Sequence, residues 1–512
     1  MSRTTRLLQG VAFGYANQVL VTLVGIWLTA FLLGRLGQSD YGVWLVGTRI
    51  LGYLLLLDLG VVALLPREVG FATGRAGGAA AATDLPEVIG RTARLVVWQT
   101  PVVAIASLLV WILLPADWDP LRVPLAVVLG VFVLTFPARV FHAALSGLQD
   151  LAFLGGTYTL TWIAGTAMTV GLVLAGWGLY ALAVGWAVSQ GLSSVVWWAR
   201  LTHRFPTVLT QRIPPLSGER LRDRLGRGLW ISVAQVAQVL LQGTDLLIIG
   251  KLLGPSAVVP YFCTGKVLTV LANQPQLLAQ AAQPGLSELR TSADRHRLRD
   301  VTVALTQAIL VLSGGVVCVV LLVNEGFVAW WVGSTQYGGF WLTLALVGGM
   351  LLRHWNTTAI YSLFALGHDK RISITTLVDG IVTVTASVLL TRAYGILGAA
   401  LGSILGVVLV GLPANLTLLA RESTASVGEM MLGLWPWGWR FGLAAATALA
   451  VSQAWVPKTL PALVAAALLC GAGYIGLIWP LALQEPLGKY VRPRVAMLGR
   501  LMRREPAGDA RG

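Results

Sequence analysis

Apolar runs of about twenty residues recur from residue 10 to residue 483, and no other feature of the chain constrains its fold as tightly. A hydrocarbon layer ~30 Å thick takes a helix of about 20 such residues, and inside it a helix satisfies its own backbone polar groups. Fourteen segments qualify, beginning with 10–33 and 42–65 and including 340–366, 436–456 and 461–483. Only 12% of the residues are charged, against about 25% in soluble domains, and 56% are hydrophobic. The fold class that follows is an all-α polytopic membrane protein.

An even number of spans puts both termini on one side. With the amino terminus inside, 28 Lys and Arg fall on the inner side, Arg139 being counted to the short inner loop after the fourth span. Five fall outside: Arg35, Arg122, Lys251, Arg392 and Lys458. Four more, Arg49, Lys266, Arg353 and Arg440, lie within spans. This asymmetry follows the positive-inside rule and predicts cytoplasmic termini. The net charge of +15 is therefore topological, directed at anionic lipid headgroups and not at nucleic acid. Cys263, Cys318 and Cys470 all sit in apolar runs, so no disulfide or thiolate metal site is expected, and the five histidines lack ligand spacing. The first apolar run has no cleavage motif and reads as a retained helix. Tryptophans near the span ends, as in AWWVG (329–333) and LWPWGW (434–439), read as an interfacial belt.

No loop is long enough for a folded domain, but the chain repeats itself. LGQSDYGVWLVGTRIL (36–51) and LGPSAVVPYFCTGKVL (253–268) align with Gly37 on Gly254, an offset of 217 residues. Trp44 then falls on Tyr261, Arg49 on Lys266 and Gln18 on Gln235. The same offset lays GLYALAVG (178–185) over GILGAALG (395–402). Six helices separate the copies, so the repeats are parallel, and a site near their interface is expected. The organisation expected is an N-lobe of six helices (1–205), a cytoplasmic linker (206–227) and a C-lobe of six helices (228–425). Helices thirteen and fourteen (426–484) and a basic cytoplasmic tail (485–512) follow.

The motifs FLLGRLGQSDYGVW, DLGVVALLPREVG, AALSGLQD, DLLIIGKLLG, PGLSELR and ALGHDKR follow one another at helix ends. In that order they resemble the polysaccharide-biosynthesis flippases of the multidrug/oligosaccharidyl-lipid/polysaccharide (MOP) superfamily, over residues 10 to 420. The resemblance implies twelve core helices in two lobes, often with two more. It also implies a transporter, not an enzyme, that moves a polyprenyl-pyrophosphate-linked oligosaccharide across the bacterial inner membrane by alternating access. No cofactor is implied. A coupling ion, H+ or Na+, stays open, and polysaccharide polymerase machinery is a candidate partner. Val259-Pro260 departs from the family pattern, so the connection between helices seven and eight is expected to be shaped differently.

Candidate site residues come from helical faces. Gln235, Gln238, Gln242 and Asp245 share one face of helix seven; Lys266, Thr269, Asn273, Gln276 and Gln280 share one of helix eight; Thr376, Asp379, Thr383 and Ser387 share one of helix eleven. Polar stripes in membrane helices line either helix contacts or a wet cavity, and three stripes carrying Lys266, Asp245 and Asp379 favour the cavity. Arg353 lies near mid-membrane, as a lumen residue or as the partner of Asp379. Asp58 precedes Gly60 and reads as a local hydrogen-bonding or lobe-closing residue. Arg49 and Lys266, at matching depth in the two repeats, suit a pyrophosphate, because guanidinium and ammonium groups are natural partners of phosphate oxygens. A multidrug or cation antiporter of the same superfamily is the alternative. Its members carry an acid in the first helix, where ANQVLVTLVG (16–25) offers only Asn17 and Gln18. A membrane glycosyltransferase or ligase would need more outer loop than the DWD at 117–119 sits in.

Reporter fusions test the topology. Those after residues 118, 335 and 458 are expected to read periplasmic, and those after 215 and 512 cytoplasmic; two swapped readings would reject it.

Overall fold

The computed structural model describes residues 3–76, 83–206, 232–291, 295–423, 425–493 and 496. No strand occurs among them. The chain divides into two compact units, Met1–Val259 and Pro260–Gly512. The first holds α1 (Arg3–Leu36), α2 (Gln38–Leu54), α3 (Val61–Ala76), α4 (Leu85–Ile112) and α5 (Asp119–Thr135). It continues with α6 (Arg139–Gly147), α7 (Leu151–Leu174), α8 (Leu179–Arg204), α9 (Ser232–Gln242) and α10 (Thr244–Leu252). Across the boundary and into the second run α11 (Val258–Thr264), α12 (Lys266–Thr291), α13 (Arg295–Val332), α14 (Phe340–Ala365) and α15 (Asp369–Tyr394). The last are α16 (Ile396–Gly406), α17 (Leu412–Glu422), α18 (Val427–Ala454) and α19 (Leu460–Ala482). The expected linker (206–227) lies, from residue 207, outside the described residues, as does most of the tail beyond 493.

Helices cover all fourteen expected segments, but not all qualify as spans. Ten are long and apolar enough to cross a membrane, or up to twelve when each of two bent pairs is one span. The two that fall short, α14 and α18, have 26 and 28 residues, so composition and not length excludes them. By length and composition the described residues support ten to twelve of the fourteen expected spans.

Gly37 (φ 81°, ψ 171°) and Gly254 (φ 90°, ψ 161°) share one backbone conformation. So do Gly178 (φ 54°, ψ −133°) and Gly395 (φ 62°, ψ −143°). Both pairs are 217 residues apart, the offset read from the sequence. A side chain would be strained at these angles, which accounts for glycine at all four. The copies diverge around Pro255 and the Val259-Pro260 noted above. After Gly37 the chain enters α2 directly, whereas after Gly254 it makes a 3-10 turn over Pro255–Ala257 and then α11, which bends by 50° into α12. The bend falls at Gly265, where the first repeat has Thr48 inside a continuous helix. Asn324 caps the bend by donating to the Thr264 carbonyl (3.0 Å), while the Thr264 hydroxyl accepts from the Gly338 amide (2.7 Å). A second bend, of 49°, separates α9 from α10 at Gly243, with the Thr244 hydroxyl bonded to the Leu240 carbonyl (2.9 Å) and to the Tyr53 hydroxyl (2.5 Å).

Small residues let helices meet backbone to backbone, the packing that membranes favour. Gly165 and Gly185 bring α7 and α8 together; Gly398, Gly402 and Gly406 do so for α15 and α16. α18 and α19 pack on α13, where the Tyr474 hydroxyl accepts from Trp437 Nε1 (3.2 Å) and donates to the Val311 carbonyl (2.8 Å). Gly402→Val would drive carbon into the Ser387 backbone and is expected to cost at least ~1–3 kcal/mol as overpacking. Gly130→Ala, where nothing lies within 4 Å, is expected to be neutral or stabilising. Thermal unfolding of the detergent-solubilised protein checks both.

Candidate functional site

α14 is the most polar-committed helix of the second unit. Successive residues on a helix point about 100° apart, so its polar run reaches different neighbours. His354 shares a 2.7 Å hydrogen bond with Ser313 of α13, and Asn356 accepts from Asn415 of α17 (2.8 Å). Arg353 turns to α15 and α16. Its Nη1 donates to Asp379 (2.7 Å), and its Nη2 donates to Thr383 (3.0 Å) and to the Ser403 carbonyl (2.9 Å). Thr383 also donates to Asp379 (3.2 Å). Of the two readings of Arg353, the pair with Asp379 is the one that forms. Asp379 is 1% exposed, so the expectation that it lines an open cavity is corrected.

Two more members of the helix-eleven stripe are corrected with it, while Thr376 is half-buried. Thr383 and Ser387 are buried against α16, because Gly402 and Gly406 bring that backbone within reach of them. Gly406 and Gly411 flank a π-helical turn, Val407–Gly411, and both press on the Asp379 carboxylate. Such turns occur mostly as local insertions near functional sites. Here the turn makes room for a buried acid.

The other two stripes remain at the surfaces of their units. Gln238 and Gln242 are exposed, and Gln235 and Asp245 are half-buried. On α12, Thr269 and Asn273 are exposed and Gln276 is half-buried; the Gln280 side chain lies outside the described residues. Arg49 is exposed on α2, within electrostatic reach of Asp245, where Gly250 of α10 packs on Val46. Lys266 is half-buried at the α11–α12 bend, with Nζ 5.2 Å from the centre of the Phe262 ring. Asn17 accepts from Thr159 (2.7 Å), which ties α1 to α7. Of the DWD, Trp118 is buried and Asp119 opens α5 beside Arg122 (3.4 Å).

Asp58 closes the turn between α2 and α3. Its Oδ1 accepts from the Gly60 amide (2.8 Å), and Oδ2 lies 2.8 Å from Arg139 Nη2, out of line for a hydrogen bond. Arg139, counted above to an inner loop, in fact sits inside the helical run Ala116–Gly147, and that count is corrected. Next to it lies a cavity of about 460 Å³ inside the first unit. Its walls include Trp186, Gln190, Ser194 and Trp197, which follow one another at four- and three-residue intervals along one face of α8. That spacing is legible in the sequence, but was overlooked because two of its members are tryptophans of the kind assigned to the interfacial belt.

A family model described as polysaccharide biosynthesis protein matches residues 102–343. No curated protein matches the chain. Among solved structures, the lipid II flippase MurJ in an inward closed conformation superimposes with a TM-score of 0.67 at 10% identity, over 93% of this chain and 100% of that one. An outward-facing multidrug resistance MATE transporter of the MOP superfamily gives 0.52 at 18% identity, over 82% and 95%. A MOP superfamily transporter from Pyrococcus furiosus gives 0.52 at 17%, over 81% and 95%. The chain therefore has the fold of these proteins, and the resemblance carried by its six motifs stands.

The buried pair sets an expected outcome. Asp379→Ala would leave Arg353 without its carboxylate and is expected to cost ~3–5 kcal/mol, whereas Arg353→Met with Asp379→Leu is expected to cost much less. Thermal unfolding and membrane expression of the two variants check the difference.

Proposed function

We propose that the chain is a flippase that carries a polyprenyl-pyrophosphate-linked oligosaccharide across the bacterial inner membrane by alternating access, for cell-surface polysaccharide synthesis. The observation that carries this reading is the pair Arg49 and Lys266. They are two cations 217 residues apart, each in an apolar segment and one in each unit. A charge in an apolar segment is costly, so two cations at matched positions, one of them already within electrostatic reach of Asp245, suit a further anionic partner. A pyrophosphate supplies one, and the matching family model and the lipid II flippase fold support a lipid-linked substrate. Gln235, Gln242, Asp245 and Asn273 are the polar residues that would accompany it. The termini are assigned to the cytoplasm on the charge asymmetry, and coupling to H+ or Na+ belongs to the same proposal.

A second reading, a multidrug or cation antiporter, is favoured by the likeness to MATE transporters. Against it stands the first helix, whose Asn17 is taken up in packing and which offers no acid among residues 16–25.

Losing one charge-assisted contact costs about 1.5–3 kcal/mol, so Arg49→Ala or Lys266→Ala is expected to lower transport about ten- to hundredfold. Arg49→Lys is expected to keep part of it, since the charge survives and the bidentate fork does not. The measurement is complementation of a flippase-deficient strain at matched membrane expression, scored by surface polysaccharide, with ethidium efflux followed in parallel. Normal complementation by the double alanine variant would defeat the pyrophosphate assignment. Efflux without complementation would favour the antiporter.

A further inference from the structure

The cavity beside Arg139 is not used by the reading above, and its lining is chemically selective. Arg139 uses Nη2 toward Asp58 and rests 5.3 Å from the centre of the Phe136 ring. Its Nη1 is buried without a hydrogen-bond partner among the described residues, and so is Nε1 of Trp197. His142 meets the Trp197 ring edge to face at 4.8 Å. Trp186, Gln190, Ser194 and Trp197 are all half-buried, so the cavity communicates with the outside of its unit. Its volume of about 460 Å³ lies within the ~300–1,000 Å³ usual for ligand pockets.

Three classes of occupant can be separated. An acyl chain would leave the Arg139 and Trp197 donors unpaired, and buried donors are expensive to strand. A lipophilic cation would find no carboxylate among the residues lining the cavity, and Asp58 is already taken up by Arg139. A pyranose ring suits both halves of the lining. Its C–H faces pack on indole rings, and its neighbouring hydroxyls take donors from planar guanidinium, amide and indole groups. Because Asp58 already balances Arg139, the ring need not be acidic.

We propose that this cavity is a saccharide subsite that holds a sugar ring of the transported glycan, with Trp186 and Trp197 as its stacking walls and Arg139 and Gln190 as its donors. The inference rests on the flippase reading for the source of the sugar, and on the cavity alone for its binding.

The test is saturation-transfer NMR on the full chain in lipid nanodiscs, with N-acetylglucosamine, galactose and glucuronate as separate probes. Inorganic pyrophosphate binding is followed in the same samples. At least one sugar is expected to show ring-proton transfer that falls fivefold or more in Trp186→Leu and in Gln190→Leu. Arg139→Lys, which keeps the charge beside Asp58 but replaces the planar fork with a compact ammonium, is expected to reduce it about threefold. Gln190→Leu is an apolar exchange on a membrane helix and keeps the test decisive should Trp186→Leu fail to fold. No transfer from any of the three sugars to the wild-type protein, or transfer unchanged in the folded variants, would overturn the subsite. Sugar binding that persists while pyrophosphate binding is absent would support the subsite and sink the assignment of Arg49 and Lys266 instead.

Discussion

Hydrocarbon offers no hydrogen bonds, and most of this structure can be traced to that one deprivation. Each polar group that enters a membrane helix has to find its partner in the protein. Threonines do so within one turn, as Thr92, Thr161, Thr169 and Thr358 donate back to the carbonyl four residues earlier. Broken helices need more. The carbonyl freed where α11 bends into α12 is met by Asn324, and the Gly243 break is closed by Thr244 and Tyr53. α14 illustrates the same requirement at its densest, with Arg353, His354 and Asn356 each answered by a different helix.

The same requirement shapes the close helix contacts. Without a hydrophobic drive between helices in lipid, association rests on packing, and glycine on one helix is what lets a hydroxyl on the next come near. Gly185 admits Thr169, Gly402 admits Ser387, and Gly406 admits Thr383 and Asp379. Gly185 and Gly402 stand at the repeat offset, so both units use a glycine at the same place for the same purpose. The repeat is thus a repetition of backbone contacts as much as of sequence.

Much of the fold was legible because its signals are local. Apolar length marks helices, and glycines at positive φ mark the turns that open them, which is why Gly37, Gly178, Gly254 and Gly395 point to the repeat before any coordinates. Partners were legible only in part. A helical wheel says that Asp379, Thr383 and Ser387 share a face, but not that the face meets the glycines of α16 and not a cavity. Arg353 was recognised as too deep for a lipid-facing residue, and Asp379, 26 residues away on another helix, was one of the two roles read for it. Arg139 was missed because a lone arginine near the inner end of a span reads as a loop charge, whereas the chain continues as a helix to Gly147. Spans are hardest to count where composition is mixed: α14 carries polar residues whose partners lie on other helices.

Each unit contains one nearly inaccessible aspartate joined to an arginine, and the two pairs differ in how much of the arginine is consumed. Asp58 and Asp379 are each about 1% exposed at the side chain, while Arg139 and Arg353 retain 28% and 20%. In the second unit both terminal nitrogens of Arg353 are engaged, by Asp379 on one side and by Thr383 and Ser403 on the other. A guanidinium so committed fixes α14 to α15 and α16 and has little left to offer a ligand. In the first unit Nη2 of Arg139 answers Asp58, and Nη1 has no partner among the described residues. The buried acid cancels most of the cost of placing the cation there without using up its donors. A pair of that kind can present hydrogen bonds in a membrane cavity without demanding an anion in return. The two units therefore assign these arginines to different work: one holds helices together, and the other keeps a donor free beside an aromatic cavity.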